Sequence, residues 1–339
     1  MINGIKKILS KTTSAMSQNS LIKCSGKRLV SPFYHLISDE PQPHIKHLYP
    51  VLSVKRFNAD LDFFEKYYQP VGADTLVENI QSGKEFNKPV FFLSFDDGLR
   101  QFYEVVAPIL LRRGIPATCF INTDFVDNKD LFFRLKASLL IDTMNNKTLT
   151  KAEFSLISQL FSSVGLSYSH PTDLLKITFQ AQAVLNKVAE VVDVDFQDYL
   201  NKQKPYLTAE QIKELQGNGF TIGAHSVSHP YYAGLTEDEQ VAQTLESLNY
   251  VKEHFQPAKR LFSFPFNDLG VNKSFFDRIE HAVDMTFGTA SLKLDSVRFN
   301  VQRMPMENAT YHNAEDTVKT GYLVFSIKKM LGKHIIYRK

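Results

Sequence analysis

The chain of 339 residues contains no tryptophan and only two cysteines, Cys24 and Cys119. Their spacing leaves a disulfide open, but so low a count fits a reducing compartment. No apolar run reaches membrane-spanning length. The first residues, MINGIKKILSKTTSAMSQ, lack the uninterrupted apolar core of a secretory leader, so a soluble, cytoplasmic chain is expected. A net charge of +3 is too small to argue for nucleic acid as a partner. Internal repeats and low-complexity tracts are lacking as well.

What is present is ordinary globular material, 43% hydrophobic and 22% charged, with 27 phenylalanines. The length suits one large domain or two small ones. The charge is unevenly placed. Lys6, Lys7, Lys11, Lys23, Lys27 and Arg28 open the chain with no acid among them, and Lys319, Lys328, Lys329, Lys333, Arg338 and Lys339 close it in the same way. Ile2, Ile5 and Leu9 recur at helical spacing beside the first lysines, as in an interfacial membrane helix, although a solvated terminus has the same pattern. Weak peripheral membrane contact is one expectation from these ends.

Between the ends, strand-like and helix-like segments alternate. SPFYHLIS (31–38), PVFFLSF (89–95), PATCFIN (116–122), FTIGAH, RLFSFPF (260–266) and DMTFG read as strands. Helical patterns separate them. One runs from Leu99 to Arg113 and ends at Gly114 in a C-cap position, and two others open on the capping-box pairs Thr208/Gln211 and Thr236/Glu239. Residues 130–204 carry long helical patterns and read as an insertion. The alternation predicts an α/β fold with a parallel sheet, whose chemistry belongs at the carboxyl ends of strands. Three polar clusters fall at such ends: Asp96–Asp97, His225–His229 and Asn267–Asp268.

AHSVSHP (224–230) places two histidines at i and i+4, which on a helical turn would put both imidazoles on one face. With an aspartate from a neighbouring strand end they make a two-histidine, one-carboxylate site that leaves positions open for water and substrate. The second aspartate of FFLSFDDG can then act as general base. The competing account is an N-cap for the helix that follows, which explains one aspartate and not both.

SFDDG followed by HSVSH resembles the NodB-homology polysaccharide deacetylases, carbohydrate esterase family 4, over roughly residues 31–310 without the insertion. The resemblance implies a distorted (β/α) barrel of about seven strands. It implies that Asp97, His225 and His229 hold a divalent metal, most simply Zn²⁺, and that Asp96 is the base. The implied reaction is hydrolysis of an N-acetyl group on an amino sugar, with the backbone N–H of Phe266 in FSFPFN helping to hold the oxyanion.

The chain also departs from that pattern. Its third motif has Phe or Ser where the family has arginine and Asn267 where glycine is usual, and no Leu-His pair near the C-terminus supplies the acid. FYHLIS resembles a motif of the permuted poly-N-acetylglucosamine deacetylase subgroup, which makes His35 the implied acid; a buried, hydrogen-bonded strand histidine is the alternative. Arg303 in VQRMPMEN stands where that subgroup carries Arg-x-Pro and is a candidate to support the base. Asn267 and Asp268 are candidates to contact substrate. The expected organisation is a basic segment (1–30), the deacetylase domain (31–310, interrupted at about 130–204) and a basic tail (311–339). The expected substrate is a polymeric, nucleotide-linked or lipid-linked N-acetyl sugar of a cell-envelope glycan. Hydrolysis of another non-peptide C–N bond and an inactive glycan-binding module are the competing readings.

Overall fold

The structure is a computed structural model that describes residues 16–307, 310, 311 and 313–339. Eight short parallel strands form its main sheet. In chain order they are β1 (Pro32–Tyr34), β2 (Leu93–Phe95), β3 (Ala117–Ile121), β4 (Thr221–Ala224), β5 (Leu261–Ser263), β6 (Met285–Gly288), β7 (Asn300–Gln302) and β8 (Met304–Pro305). Their spatial order is β7-β6-β5-β4-β3-β2-β1-β8. The expected barrel is therefore present, with eight strands where about seven were anticipated.

The closure has an unusual form. β7 pairs with β6 and β8 with β1, yet only Arg303 separates β7 from β8. One extended segment thus forms both edges, changing partner at Arg303. The Arg303 amide donates to the Gly288 carbonyl on one side, and the Met304 amide donates to the Ser31 carbonyl on the other.

Side-chain alternation along the strands sorts the core. Phe92, Phe120, Leu261, Met285 and Phe287 form one buried cluster, with the Phe92 and Phe287 rings stacked at 5.1 Å. Gly223 on β4 is required there, since a Cβ would meet the Phe120 ring at 2.6 Å. Cys119, Ile121, Ile222, Ala224 and Phe262 belong instead to the large cluster shared with the surrounding helices. Both cysteines are free, Cys119 buried and Cys24 exposed.

Two local expectations need correction. The apolar run 89–95 is not one strand: Val90–Phe91 joins a small parallel sheet with Leu29–Val30 and Gln69–Pro70, and only Leu93–Phe95 enters the barrel. The helix after Asp97 opens with a π-helical turn, Phe102–Val106, before the α-helix Ala107–Arg113. Gly114 does cap it, in the left-handed region, and both capping boxes form. Residues 130–204 fold as helices Phe133–Asn145, Lys151–Ser162, Ala183–Val192 and Phe196–Gln203 around an apolar cluster that also takes in Leu36, Ile45, Leu99, Phe125 and Tyr206.

The ends differ from a pair of free basic tails. Lys6, Lys7 and Lys11 lie outside the described residues, as do Ile2, Ile5 and Leu9. The helix Ala314–Met330 buries Ala314, Val318, Tyr322 and Phe325 in the main core. Lys319 is buried against Glu315, 2.7 Å away. Arg338 is buried as well, paired with Asp268 and Asp295 and lying 5.1 Å over the Phe276 ring. Asp268 also accepts from Asn300 at 2.9 Å and Gln302 at 2.7 Å. It is a structural residue behind the site rather than a substrate contact, because all its neighbours are internal. Among the described residues no helix is long and apolar enough to cross a membrane.

Breaking a buried ion pair from one side leaves an uncompensated charge and costs about 3–5 kcal/mol. Arg338→Ala is therefore expected to lower the unfolding free energy by about that amount in chemical denaturation, whereas a loss below ~1 kcal/mol, the value of an exposed pair, would show the network to be solvated.

Candidate active site

Every chemically active side chain named from the sequence, apart from Asp268, lies where a strand of the barrel ends: His35 after β1, Asp96 and Asp97 after β2, His225 after β4, Phe266 and Asn267 beyond β5, and Arg303 between β7 and β8. They surround a cleft of about 530 Å³ lined by His35, Asp96, Asp97, His229, Phe266 and Asn267 among others. That size is ordinary for a small-molecule site.

Local backbone geometry sets the directions. Asp97 has φ +72°, and Gly98 has φ +61° with Ile121 so close that a Cβ would sit 3.0 Å from it. Ser226, His229 and Phe266 also have positive φ, at +69°, +58° and +57°. Non-glycine residues in this region are uncommon and cost of order 1–3 kcal/mol each, so their gathering around one cleft is a mark of function. The 225–229 segment is a loop and not the helical turn that the i, i+4 spacing suggested. It is held by surrounding bonds: Asn122 donates to the His225 carbonyl, Gln243 accepts from the Val227 and Ser228 amides at 3.1 Å, and Ser226 Oγ accepts from the His229 amide at 3.0 Å.

Asp97, His225 and His229 converge as a buried cluster. Asp97 Oδ1 lies 3.4 Å from His225 Nε2 and 3.2 Å from His229 Nε2, and it has no hydrogen-bond partner of its own. His225 donates from Nδ1 to the Ser263 carbonyl at 2.8 Å, which turns Nε2 toward the cleft. Burial lowers the His229 pKa and keeps that ring neutral, the form that ligates a metal. Burial alone would raise the Asp97 carboxyl, but His229 and His225 beside it hold it well below the usual range. An orphaned carboxylate oxygen facing two imidazoles is a donor set that fits a divalent cation.

Asp96 makes a different set of contacts. Arg303 grips it with both ends of its guanidinium, Nη1 to Oδ1 and Nη2 to Oδ2, each at 2.7 Å. Arg303 has 0% exposure. It also donates to Ser94 and Ser263, and it lies over the rings of Phe33, Phe120 and Phe287 at 4.3, 5.2 and 5.9 Å. Burial works to raise the Asp96 pKa, yet Arg303, with His225 and His35, holds it below the usual carboxylate value. Each carboxylate oxygen keeps a second lone pair for another partner. Arg303 thus brings to Asp96 an arginine that FSFPFN lacks, from the β7–β8 segment, whose β8 lies two strands from β2.

His35 binds Glu307 through Nδ1, while Glu307 Oε1 accepts from the His35 and Leu36 amides at 2.8 and 2.9 Å. The ring stacks on Tyr49 at 4.7 Å. Burial opposes its charge, but Glu307, aided by Asp97 and Asp96, raises its pKa to about 9. His35 is therefore protonated at neutral pH. Glu307 was missed in the sequence reading. Its signal was available, because Arg303, Pro305 and Glu307 alternate along an extended segment and share a face. The insertion adds Phe132, Arg134 and Leu175 to the cleft, none of which the sequence singled out. Phe132 packs on His229 at 4.1 Å between ring centres.

A parallel barrel with a buried, arginine-held carboxylate and a His–His–Asp cluster at its mouth has the parts of a hydrolase. The sequence profile of the polysaccharide deacetylases matches residues 83–282, more than half of the chain, and the chain belongs to that family, as a sugar N-deacetylase. Solved structures share its fold at low identity. The Streptococcus pyogenes deacetylase PplD, in complex with acetate, is 14% identical, with 87% of this chain and 98% of that chain covered at a TM-score of 0.56. IcaB from Ammonifex degensii is 14% identical, with 88% and 97% covered at 0.54. The polysaccharide deacetylase BC0361 of Bacillus cereus is 14% identical, with 87% and 69% covered at 0.50. No curated protein sequence matches.

Arg303→Met removes the charge while keeping an apolar stem in the barrel. It is expected to cost about 3–5 kcal/mol in denaturant unfolding because Asp96 is left buried and unpaired. Adding Asp96→Asn should recover part of that loss. A single variant as stable as wild type, or a double variant less stable than Arg303→Met, would contradict a coupled pair.

Proposed function

We propose that the chain is a metal-dependent hydrolase that removes the N-acetyl group from an amino sugar of a cell-envelope glycan or its precursor. The observation that carries this is the pairing, in one cleft, of a partnerless Asp97 oxygen facing two histidines with an Asp96 held ionised by Arg303.

Asp97, His225 and His229 would hold the cation, with Zn²⁺ suited to this donor set. When bound, such an ion supplies Lewis-acid polarisation of the acetyl carbonyl and acidifies water. The chain's own residues account for the proton movements. Asp96, ionised and open to the cleft, takes a proton from the attacking water. The Phe266 N–H donates to the developing oxyanion in this reading, Phe266 being part of the cleft lining. The amine must leave protonated, and His35, charged through Glu307, delivers a proton from Nε2. The early histidine and the arginine from VQRMPMEN support the poly-N-acetylglucosamine deacetylase-like subgroup. Asn267 borders the cleft and is kept as a substrate contact.

The test is metal content and turnover in the same set of variants. His225→Ala and His229→Ala are expected to lose tight metal binding by elemental analysis. Asp96→Asn and His35→Ala should keep the metal while the rate of acetate release from an N-acetylglucosamine oligomer falls by about 10²–10⁴. Because His35 acts when protonated and its pKa is raised, activity is present below that pKa and lost as pH rises through it. That alkaline limb should lie at or below about 9, since a bound cation offsets part of the Asp97 contribution, and His35→Ala should abolish it. Metal retained in both histidine variants would overturn the ligand set, and wild-type rates in Asp96→Asn would overturn the base.

A cytoplasmic protein resting on the inner face of an anionic membrane is the proposed location. Lys329 and Lys333 beside exposed Met330 and Leu331 support it, at about 1 kcal/mol per basic residue near such a surface. In cell fractionation the protein should sediment with membranes at low salt and be released at high salt; recovery in the soluble fraction at both salt levels would remove the membrane contact.

A further inference from the structure

Resting on the deacetylase reading, we infer that the helical insertion builds an anion subsite at Arg134, so that the preferred acetamido sugar carries a phosphate or carboxylate near its N-acetyl group.

The charges of the cleft separate into those already matched and one that is not. Asp96 is matched by Arg303, and His35 by Glu307. Asp97 faces the two histidines. His47 lies 3.7 Å from Asp142. Lys136, two residues beyond Arg134, is 2.8 Å from Asp130. Arg134 lines the same cleft, and among the described residues no carboxylate lies within ion-pair distance of it. Its Nη1 donates to the Leu175 carbonyl, and its guanidinium lies 4.9 Å from the Phe133 ring. Those two contacts orient the group and leave most of its five donors unused.

Its position ties it to the reacting centre. Arg134 stands at the start of the helix Phe133–Asn145, two residues after Phe132. Phe132 packs on His229 and lies 6.1 Å from the Phe266 ring. An anion held by Arg134 therefore belongs to the sugar whose acetamide meets the His–His–Asp cluster, or to a residue joined directly to it. Phe132, Phe266 and Tyr49 offer apolar faces for the sugar ring between the two ends.

The energetics agree. Arg134 is half-buried, and loss of hydration lowers its pKa, though a guanidinium stays charged. A partly desolvated cation without a counter-charge is unfavourable until an anion arrives, and a planar guanidinium takes phosphate or carboxylate oxygens in pairs. Had the arginine served only to tie the 171–176 turn to its helix, a neutral donor to one carbonyl would have sufficed.

The test compares acetate release by the metal-loaded enzyme from N-acetylglucosamine 1-phosphate, N-acetylmuramic acid and neutral chitotriose. The wild type is expected to favour an anionic probe, and which one identifies the source of the charge. Arg134→Gln, which keeps a donor for Leu175, should lower kcat/KM on that probe about ten-fold or more, chiefly through KM, and leave chitotriose within about two-fold. Arg134→Lys should restore part of the loss. Equal losses on all three probes, or no preference for charge in the wild type, would overturn the subsite while leaving the deacetylase reading intact. Failure to release acetate from any probe would overturn that reading. Calorimetric binding of N-acetylglucosamine 1-phosphate would still decide the subsite: binding about ten-fold weaker in Arg134→Gln supports it, and equal binding overturns it.

Discussion

The ion pair between Asp96 and Arg303 is the constraint on which the rest of the site depends. Both groups are buried, and the guanidinium is enclosed by three phenylalanine rings from β1, β3 and β6. A buried pair of this kind is a poor source of net stability, because removing two charges from water costs about what their attraction returns. Its value is chemical. A carboxylate at the end of a strand, with little access to water, is pushed by burial toward its protonated form. Arg303 prevents that, and the rings that surround it stop the guanidinium from turning to water instead. Ser94 and Ser263 complete the cage as further acceptors.

Much of this arrangement could be read from residue order, and the limits of that reading have physical causes. Strand ends were legible because apolar runs stop at polar pairs, so Asp96, Asp97, His225 and His229 could be placed in one region. The i, i+4 spacing of the histidines suggested a helix, but spacing alone cannot report the left-handed φ values of Ser226 and His229, which turn the two rings together within a loop. The run 89–95 looked like one strand because hydrophobicity marks burial and not partnership; Phe92 sits where the chain passes from one sheet to another. Asp268 was a candidate substrate contact because Asn267–Asp268 form a polar pair after a strand-like run. Its true partner, Arg338, is 70 residues away in sequence, beyond any local pattern. Alternation with Arg303 and Pro305 could have put Glu307 on the cleft face, but nothing local tells that it meets His35, 272 residues away.

The insertion adds lining to the cleft of the barrel without joining its sheet. Its apolar cluster also takes in Leu36, Ile45, Leu99, Phe125 and Tyr206 from outside it, while the barrel strands draw their cores from two other clusters. Its contribution to the cleft comes from the approach to one helix and from one turn, at Phe132, Arg134 and Leu175. The acid–base groups and the His–His–Asp cluster come from barrel strands and the segments that follow them. The barrel and the insertion thus contribute separate parts of the cleft lining, and one can vary while the other is held.

The segment that changes partner at Arg303 also ties the timing of function to the making of the chain. Asp96 and Arg303 are 207 residues apart, so their contact closes nearly two thirds of the polypeptide into a loop. A contact of such long range forms late, after the local helices and the shorter-range strand pairings that cost less chain entropy. During synthesis the first six strands can leave the ribosome and begin to pair while the aspartate still lacks its counter-charge. The ion pair is completed only when β7 and β8 arrive and join the two edges of the sheet. A nascent or broken chain that stops short of residue 303 can hold most of the barrel strands, but it leaves Asp96 without its guanidinium partner.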